Sequence, residues 1–266
     1  MSTLTAGEVV ARIKANLGFP WRDQTYRDVF HFGGPDTVVK GIATTMFCSY
    51  GAIRDAVAAG CNMIVPHEDV YWNDRDDTSI VSGDPSYKLK VDYMREHGIV
   101  VFRMHDHMHA RKPDFIWVGL ARALGLKPEW ETAPQSHHFN LPETTLEELA
   151  AHCQKQLGDK ALRVVGDPKA KVTRLQVGVG YATPSINNPE VDVVISGEQQ
   201  ETDGILDSPA YVLDAATLGI PKGWIMLGHN ISEEQGMLEM ADWIGSIVPE
   251  VHVQLVRSGE PFWAPR

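Results

Sequence analysis

Residues 105 to 109 read His105-Asp106-His107-Met108-His109, a dense set of side chains able to bind a metal ion. They follow the run Ile99, Val100, Val101, Phe102, whose β-branched and apolar make-up predicts a buried parallel strand. Two further predicted strand ends repeat the pattern. Asn62-Met63-Ile64-Val65-Pro66 leads to His67, Glu68 and Asp69, and Gly223-Trp224-Ile225-Met226-Leu227-Gly228 leads to His229 and then Glu233. Imidazole nitrogen and carboxylate oxygen are the ligand set of zinc, manganese and iron, and open α/β sheets gather ligands at the carboxyl ends of their strands. The chain therefore reads first as a metalloprotein holding one or two divalent ions (Zn, Mn or Fe). Two histidines and a carboxylate, taken alone, fit a hydrolytic zinc site or a non-haem iron oxygenase site.

The elements that must position these residues alternate between strand-like and helical patterns, which predicts an α/β fold with a mostly parallel sheet. An amphipathic helix is expected over Gly7–Leu17, a strand over Gly41–Phe47 and an Ala-rich helix over Gly51–Ala59 closed by Gly60. The charged stretch Asp74-Arg75-Asp76-Asp77 reads as a solvated loop or a lid, and Tyr87–His97 as a helix stopped by Gly98. Thr145-Leu146-Glu147-Glu148 is a capping box opening a helix to Leu157, followed by β-type runs at Arg174–Val179 and Val191–Ser196. Ser232-Glu233-Glu234-Gln235 reads as a second capping box, with Met237, Leu238, Met240, Ala241 and Ile244 as the buried face of its helix. That places Glu233 in the first helical turn. The pattern breaks over Pro128–Pro142, which marks the boundary between a lobe 1–128, with 222–266 packing on it, and a lobe 129–221. His137-His138 falls in this stretch and reads as solvated.

Lys plus Arg number 24 and Asp plus Glu 35, a formal charge of −11. Such a surface repels nucleic acid and anionic membrane, so neither is expected as a partner. The N-terminal residues lack the n- and h-regions of a secretory signal, no stretch reaches the length of a membrane span, and the three cysteines contain no CxxC. A reducing cytoplasm is the expected location. Cys48 and Cys61 read as small core residues. Arg54, Arg103 and Arg111 are the nearest basic residues to the ligands and read as surface charges, with no P-loop, so a small and weakly charged substrate is favoured over a nucleotide.

Four segments resemble the NIF-three-like family (NGG-one-interacting factor three), also described as dinuclear-metal hexameric proteins or type 2 GTP cyclohydrolase I. They are Ala-Ala-Gly-Cys-Asn-Met-Ile-Val-Pro-His67-Glu68, His105-Asp106-His107-Met108-His109, Val191-Asp192-Val193-Val194-Ile195-Ser196-Gly197-Glu198, and Gly228-His229-Asn230-Ile231-Ser232-Glu233. The last is the most specific, and the resemblance runs from Val39 to Val256. It implies a two-lobed fold with mostly parallel mixed sheets flanked by helices, a metal site at strand C-terminal ends between lobes, and a ring-like homohexamer. It also implies the metal ligands His67, Glu68, His109, His229 and Glu233, to which the strand-end pattern adds His105.

Two departures stand out. The family's second adjacent His is matched by Glu68, and its metal-bridging Asp by His109. Imidazole offers one in-plane lone pair and cannot bridge two ions as a carboxylate does. A permuted dinuclear site with Glu68 as bridge and a single-metal site both remain open. Gln199-Gln200 and Gly178-Val179-Gly180-Tyr181-Ala182-Thr183-Pro184 also differ from the family's segments, which separates the chain from the family's nominal GTP substrate.

The expected activity is metal-dependent hydrolysis of a small molecule at a C–N bond, in a cyclic amide, imide or heterocycle, with Asp106, His107 and Glu198 as the groups available for proton transfer. The alternatives are a non-catalytic metal-binding or regulatory oligomer, a GTP cyclohydrolase-type activity and a non-haem iron oxygenase. The tail Gly259-Glu260-Pro261-Phe262-Trp263-Ala264-Pro265 offers two aromatics for an interface, a pocket cover or packing on its own subunit.

Overall fold

The computed structural model describes residues 4–127, 137–182, 184–202, 204 and 206–265. The chain divides into two compact units, 1–116 with 236–258 and 117–235 with 259–266.

The first unit opens with α1 (Ala6–Ala15), begun by a Thr5–Glu8 capping box. It then contains β1 (Phe30–Phe32), β2 (Gly41–Thr45), α2 (Tyr50–Ala58), β3 (Met63–Pro66), α3 (Pro85–Glu96), β4 (Val100–Phe102) and α4 (Asp106–Ala110). After the second unit the chain returns to add α9 (Gly236–Ile247) and β10 (His252–Leu255). The sheet order is β1-β4-β3-β2-β10, parallel throughout except for β1 at the edge. The central strands are buried on both faces, which explains their unbroken apolar runs. Ala43, Ile64 and Val101 pack with Ile53 and Ala56 of α2 and Met94 of α3. Full burial of an aliphatic side chain such as Ile53 or Ile64 stabilises by about 1.5–3 kcal/mol. The helix α9 packs on β2 and β10.

The second unit holds α5 (Phe115–Ala123) from Trp117 onward, β5 (His138–Thr145), α6 (Leu146–Leu157), β6 (Arg163–Gly166), β7 (Lys171–Val177), β8 (Val193–Ser196), α7 (Ser208–Thr217), β9 (Gly223–Met226) and α8 (His229–Glu234). Its sheet order is β5-β7-β8-β9-β6, with β7, β8 and β9 parallel and the two edges antiparallel. The capping box of α6 forms as expected, with the Thr145 hydroxyl accepting from Glu148 N at 3.2 Å and Glu148 Oε2 accepting from Thr145 N at 3.0 Å. A core of Val194, Val212, Trp224 and Met226 fixes α7 to this sheet.

Several expectations change. The residues expected as a capping box at Ser232 lie inside a helix that starts earlier, at His229 after Gly228. Ser232 spends its hydroxyl on His229 O at 2.7 Å and accepts from Gly180 N at 3.0 Å, so it cannot cap. A separate α9 follows, on which Leu238 is exposed rather than buried. Part of Pro128–Pro142 lies outside the described residues, but His138 onward forms β5, paired with β7 through backbone hydrogen bonds that side-chain periodicity does not report. His137 stacks on Trp117 with ring centroids 3.4 Å apart. All three cysteines are buried and free, as expected of core residues.

Candidate metal centre

In the first unit, β3 and β4 run parallel, so their carboxyl ends share one edge. The ladder continues past both strands: His67 N donates to Thr45 O at 3.0 Å and Met104 N to Pro66 O at 2.9 Å. His67 leaves β3 fully buried, and the chain after β4 turns into the short α4, so the His105–His109 motif is helical rather than extended. One ring nitrogen from each of His67, His105 and His109 lies within 4.8 Å of the others.

What stands behind each ring decides its chemistry. His67 Nδ1 faces the Met104 carbonyl oxygen at 3.2 Å, His105 Nδ1 faces Asp106 Oδ1 at 2.9 Å, and His109 Nδ1 faces Asp114 Oδ2 at 2.8 Å. All three partners accept only, so each Nδ1 is the donor there and each ring turns its Nε2 toward the cluster. His67 Nε2 and His109 Nε2 stand 3.2 Å apart. A divalent ion held here would meet a ring nitrogen from each of the two histidines. The arrangement is the carboxylate–histidine support found behind metal-bound imidazoles. The residues thus fit a divalent cation.

Glu68 stands beside this cluster, with Oε1 3.6 Å from His105 Nε2. Its other oxygen accepts from Arg103 Nη2 at 2.9 Å. Arg103 is fully buried, which corrects the expectation of a surface charge: its guanidinium also donates to His67 O at 3.0 Å and to Asp74 O at 2.8 Å. The same group meets Asp74 Oδ1 at 3.1 Å; Asp74 is gripped by Arg27 through two contacts of 2.7 Å, and Arg27 reaches Asp106 Oδ1 at 3.0 Å. Charges therefore alternate from Glu68 through Arg103, Asp74 and Arg27 to Asp106. Burial raises the Asp106 carboxyl, but hydrogen bonds from Thr25, His105 and Arg27 outweigh it and hold the group at about 2. Burial pushes Asp69 up to about 6, with Asp76 and Glu68 adding to it. The expected solvated run at 74–77 is folded inward at Asp76, whose Oδ1 accepts from Val70 N and Tyr71 N at 2.7 and 2.8 Å.

His107 points away from the cluster's nitrogens. Its Nε2 accepts from Arg22 N at 3.0 Å, its Nδ1 donates to the buried Asp28, and Trp21 stacks on it at 3.6 Å. Residues 22–25 together with His105, Asp106, His107 and His109 line a cleft of about 700 Å³, to which each contributes a polar side chain.

In the second unit, β8 delivers Glu198 and β9 delivers His229 at one edge, with Gly228 N donating to Gly197 O at 2.9 Å. Glu198 Oε1 accepts from His229 Nδ1, again leaving Nε2 as the outward atom, which lies 3.3 Å from Glu233 Oε2 one helical turn on. Gly180, at φ +48°, lies against this pair: a Cβ there would sit 2.2 Å from Glu233 Oε1 and 3.0 Å from His229 Nε2. Tyr181 meets the His229 ring edge-on at 5.3 Å.

Sequence reasoning named every histidine of both groups and Gly180 within the segment 178–184, but missed Asp28, Arg27 and Asp114. Only Asp114, five residues after His109, left a local trace.

A family model described as Duf34/NIF3 (NGG1p interacting factor 3) matches residues 29–260. No curated protein matches the chain. Among solved structures it is similar to a Bacillus cereus protein related to NIF3, at 14% identity and TM-score 0.72 over 100% of both chains. A hypothetical protein of Staphylococcus aureus shows 15% identity and TM-score 0.71 over 99% of this chain and 100% of that one. A Thermus thermophilus protein shows 17% identity and TM-score 0.63 over 97% and 99%. At these identities the likeness is one of fold, and it agrees with two helix-flanked mixed sheets. The match to the family model spans most of the sequence, and the chain belongs to the Duf34/NIF3 family.

Proposed function

We propose that this protein is a metal-dependent hydrolase that opens a C–N bond of a small molecule. The observation that carries the reading is the facing Nε2 pair of His67 and His109, each with its Nδ1 committed to an acceptor. His67, His105 and His109, with Glu68 beside them, would hold an ion in the first unit, and His229 and Glu233 are the proposed ligands of the second, for one or two ions per chain. A divalent ion held there would supply polarisation of a carbonyl or imine and bring the pKa of water from 15.7 toward about 7.

The chain's own residues support the remaining roles. Asp106 stays ionised and orients His105; His107 has both nitrogens engaged. Glu198, with 38% of its side chain exposed, is the group best suited to carry a proton, while it also orients His229. The cleft falls within the usual ligand-pocket range of about 300–1,000 Å³, which supports a small-molecule substrate. A homohexamer belongs to the same reading.

Metal content per chain, measured by plasma mass spectrometry on untagged protein, tests the site. One or two equivalents of a divalent ion are expected in the wild type and loss of at least one in His67→Ala and in Glu68→Ala. Metal-free wild type, or full content in His67→Ala, overturns the site. Opening of cyclic amides or imides that disappears in Glu233→Ala supports the reaction, and faster turnover of GTP refutes the substrate class.

A further inference from the structure

The helix α4 presents His105 at its N-terminal boundary and His107 and His109 within a span of five residues. So short a helix cannot satisfy its own first N–H groups, and none of its own side chains caps it. The cap comes from Asp28, 77 residues earlier in the chain. Asp28 Oδ1 accepts from His105 N at 2.6 Å and Asp106 N at 3.0 Å; Oδ2 accepts from His107 N at 2.8 Å and from His107 Nδ1. The side chain is fully buried, and a carboxylate so placed is stable only with such donors. With both oxygens occupied, Asp28 is not itself a candidate ligand. The segment around it is fastened to the same helix by Trp21 on the His107 ring, by Arg22 N on His107 Nε2 and by Thr25 Oγ1, which donates to Asp106 Oδ2 at 2.6 Å. Asp28 also lies just before the residues matched by the family model.

We propose that Asp28 is the positioning residue of the histidine cluster: it fixes the backbone of residues 105–107, and through it the direction in which His105 and His109 turn Nε2. The inference rests on the reading of His67, His105 and His109 as cation ligands. Its effect needs both acceptor oxygens in place and not the charge alone, because three consecutive N–H groups and the His107 ring must meet one carboxylate.

Zn²⁺ affinity, measured by competition with a chromophoric chelator, tests this. Asp28→Asn is expected to weaken binding about 10–100-fold, as loss of an outer support of a metal ligand does. Asp28→Glu keeps the charge but displaces the carboxylate by a methylene, and is expected to bind as weakly as Asp28→Asn. Wild-type affinity in Asp28→Asn, or full recovery in Asp28→Glu, overturns the proposal. If neither variant folds by circular dichroism, amide exchange on the wild type decides: the amides of His105, Asp106 and His107 are expected to exchange as slowly as those of β4, and exchange at the rate of exposed loops refutes the cap. Failure of the metal reading itself would show differently, as unchanged Zn²⁺ binding in His67→Ala, with the exchange result still standing.

Discussion

A histidine's role here depends on which acceptor stands behind it. His105, His109 and His229 each back onto a carboxylate and turn Nε2 outward, whereas His107, in the same short helix, has both nitrogens engaged. Four imidazoles of identical chemistry are thus divided by second partners that the sequence does not announce. Gly180 shows the same dependence from the opposite direction. Its backbone is held on both sides, by Ser232 Oγ accepting from Gly180 N at 3.0 Å and by Glu198 N donating to Gly180 O at 2.8 Å, so a side chain has nowhere to go but into Glu233. Gly180→Ala is expected to cost about 1–3 kcal/mol through overpacking and left-handed strain. Urea unfolding measures it, and wild-type stability in the variant would mean that the loop can move off His229 and Glu233.

At the scale of elements, the parallel cores of both sheets were legible because buried strands write continuous apolar runs, as at Met63–Pro66 and Val193–Ser196. The edge strands β1, β5, β6 and β10 were not, since an edge is defined by its pairing partner and not by its own residues. The histidine-bearing strand ends were legible for a related reason: a histidine directly after an apolar run is visible without any tertiary knowledge. Asp28 was invisible, its partners being 77 residues or more away. Pairing of β7 with β8 illustrates an element held by one buried carboxylate. Burial raises Asp192, but hydrogen bonds from Arg174 and from the backbone N–H groups of Thr173 and Arg174 reverse this and hold it below its ordinary value of 3.8. A carboxyl depressed in the folded state contributes stability above its unfolded value, and loses it as pH falls through the folded one. Asp192→Asn is therefore expected to cost about 1–3 kcal/mol at neutral pH. The gap between variant and wild type should narrow in chemical unfolding below pH 3.8, and a gap independent of pH would assign the loss to shape rather than charge.

For the whole molecule, a cation bound only by the folded chain must couple to its stability. At a free concentration 100 times the dissociation constant, an ion adds about 2.7 kcal/mol, so a chelator is expected to lower the melting temperature of purified protein and added Zn²⁺ to restore it. A melting temperature insensitive to both would remove the cation from the folded state. Among the described residues no helix is long and apolar enough to cross a membrane, and Phe262 and Trp263 of the tail stand 63% and 75% exposed. The alternating chain from Glu68 through Arg103, Asp74 and Arg27 to Asp106 reaches furthest in its consequences. Removing one member strands a charge of the opposite sign, and beside the fully buried Arg103 that penalty is severe, whereas exchanging both partners of a pair for apolar groups can be nearly neutral. The constraint is tightest at Glu68 and Arg103 and relaxes toward the half-exposed Asp74, so the evolutionary route to a different residue beside His67 passes through Arg103.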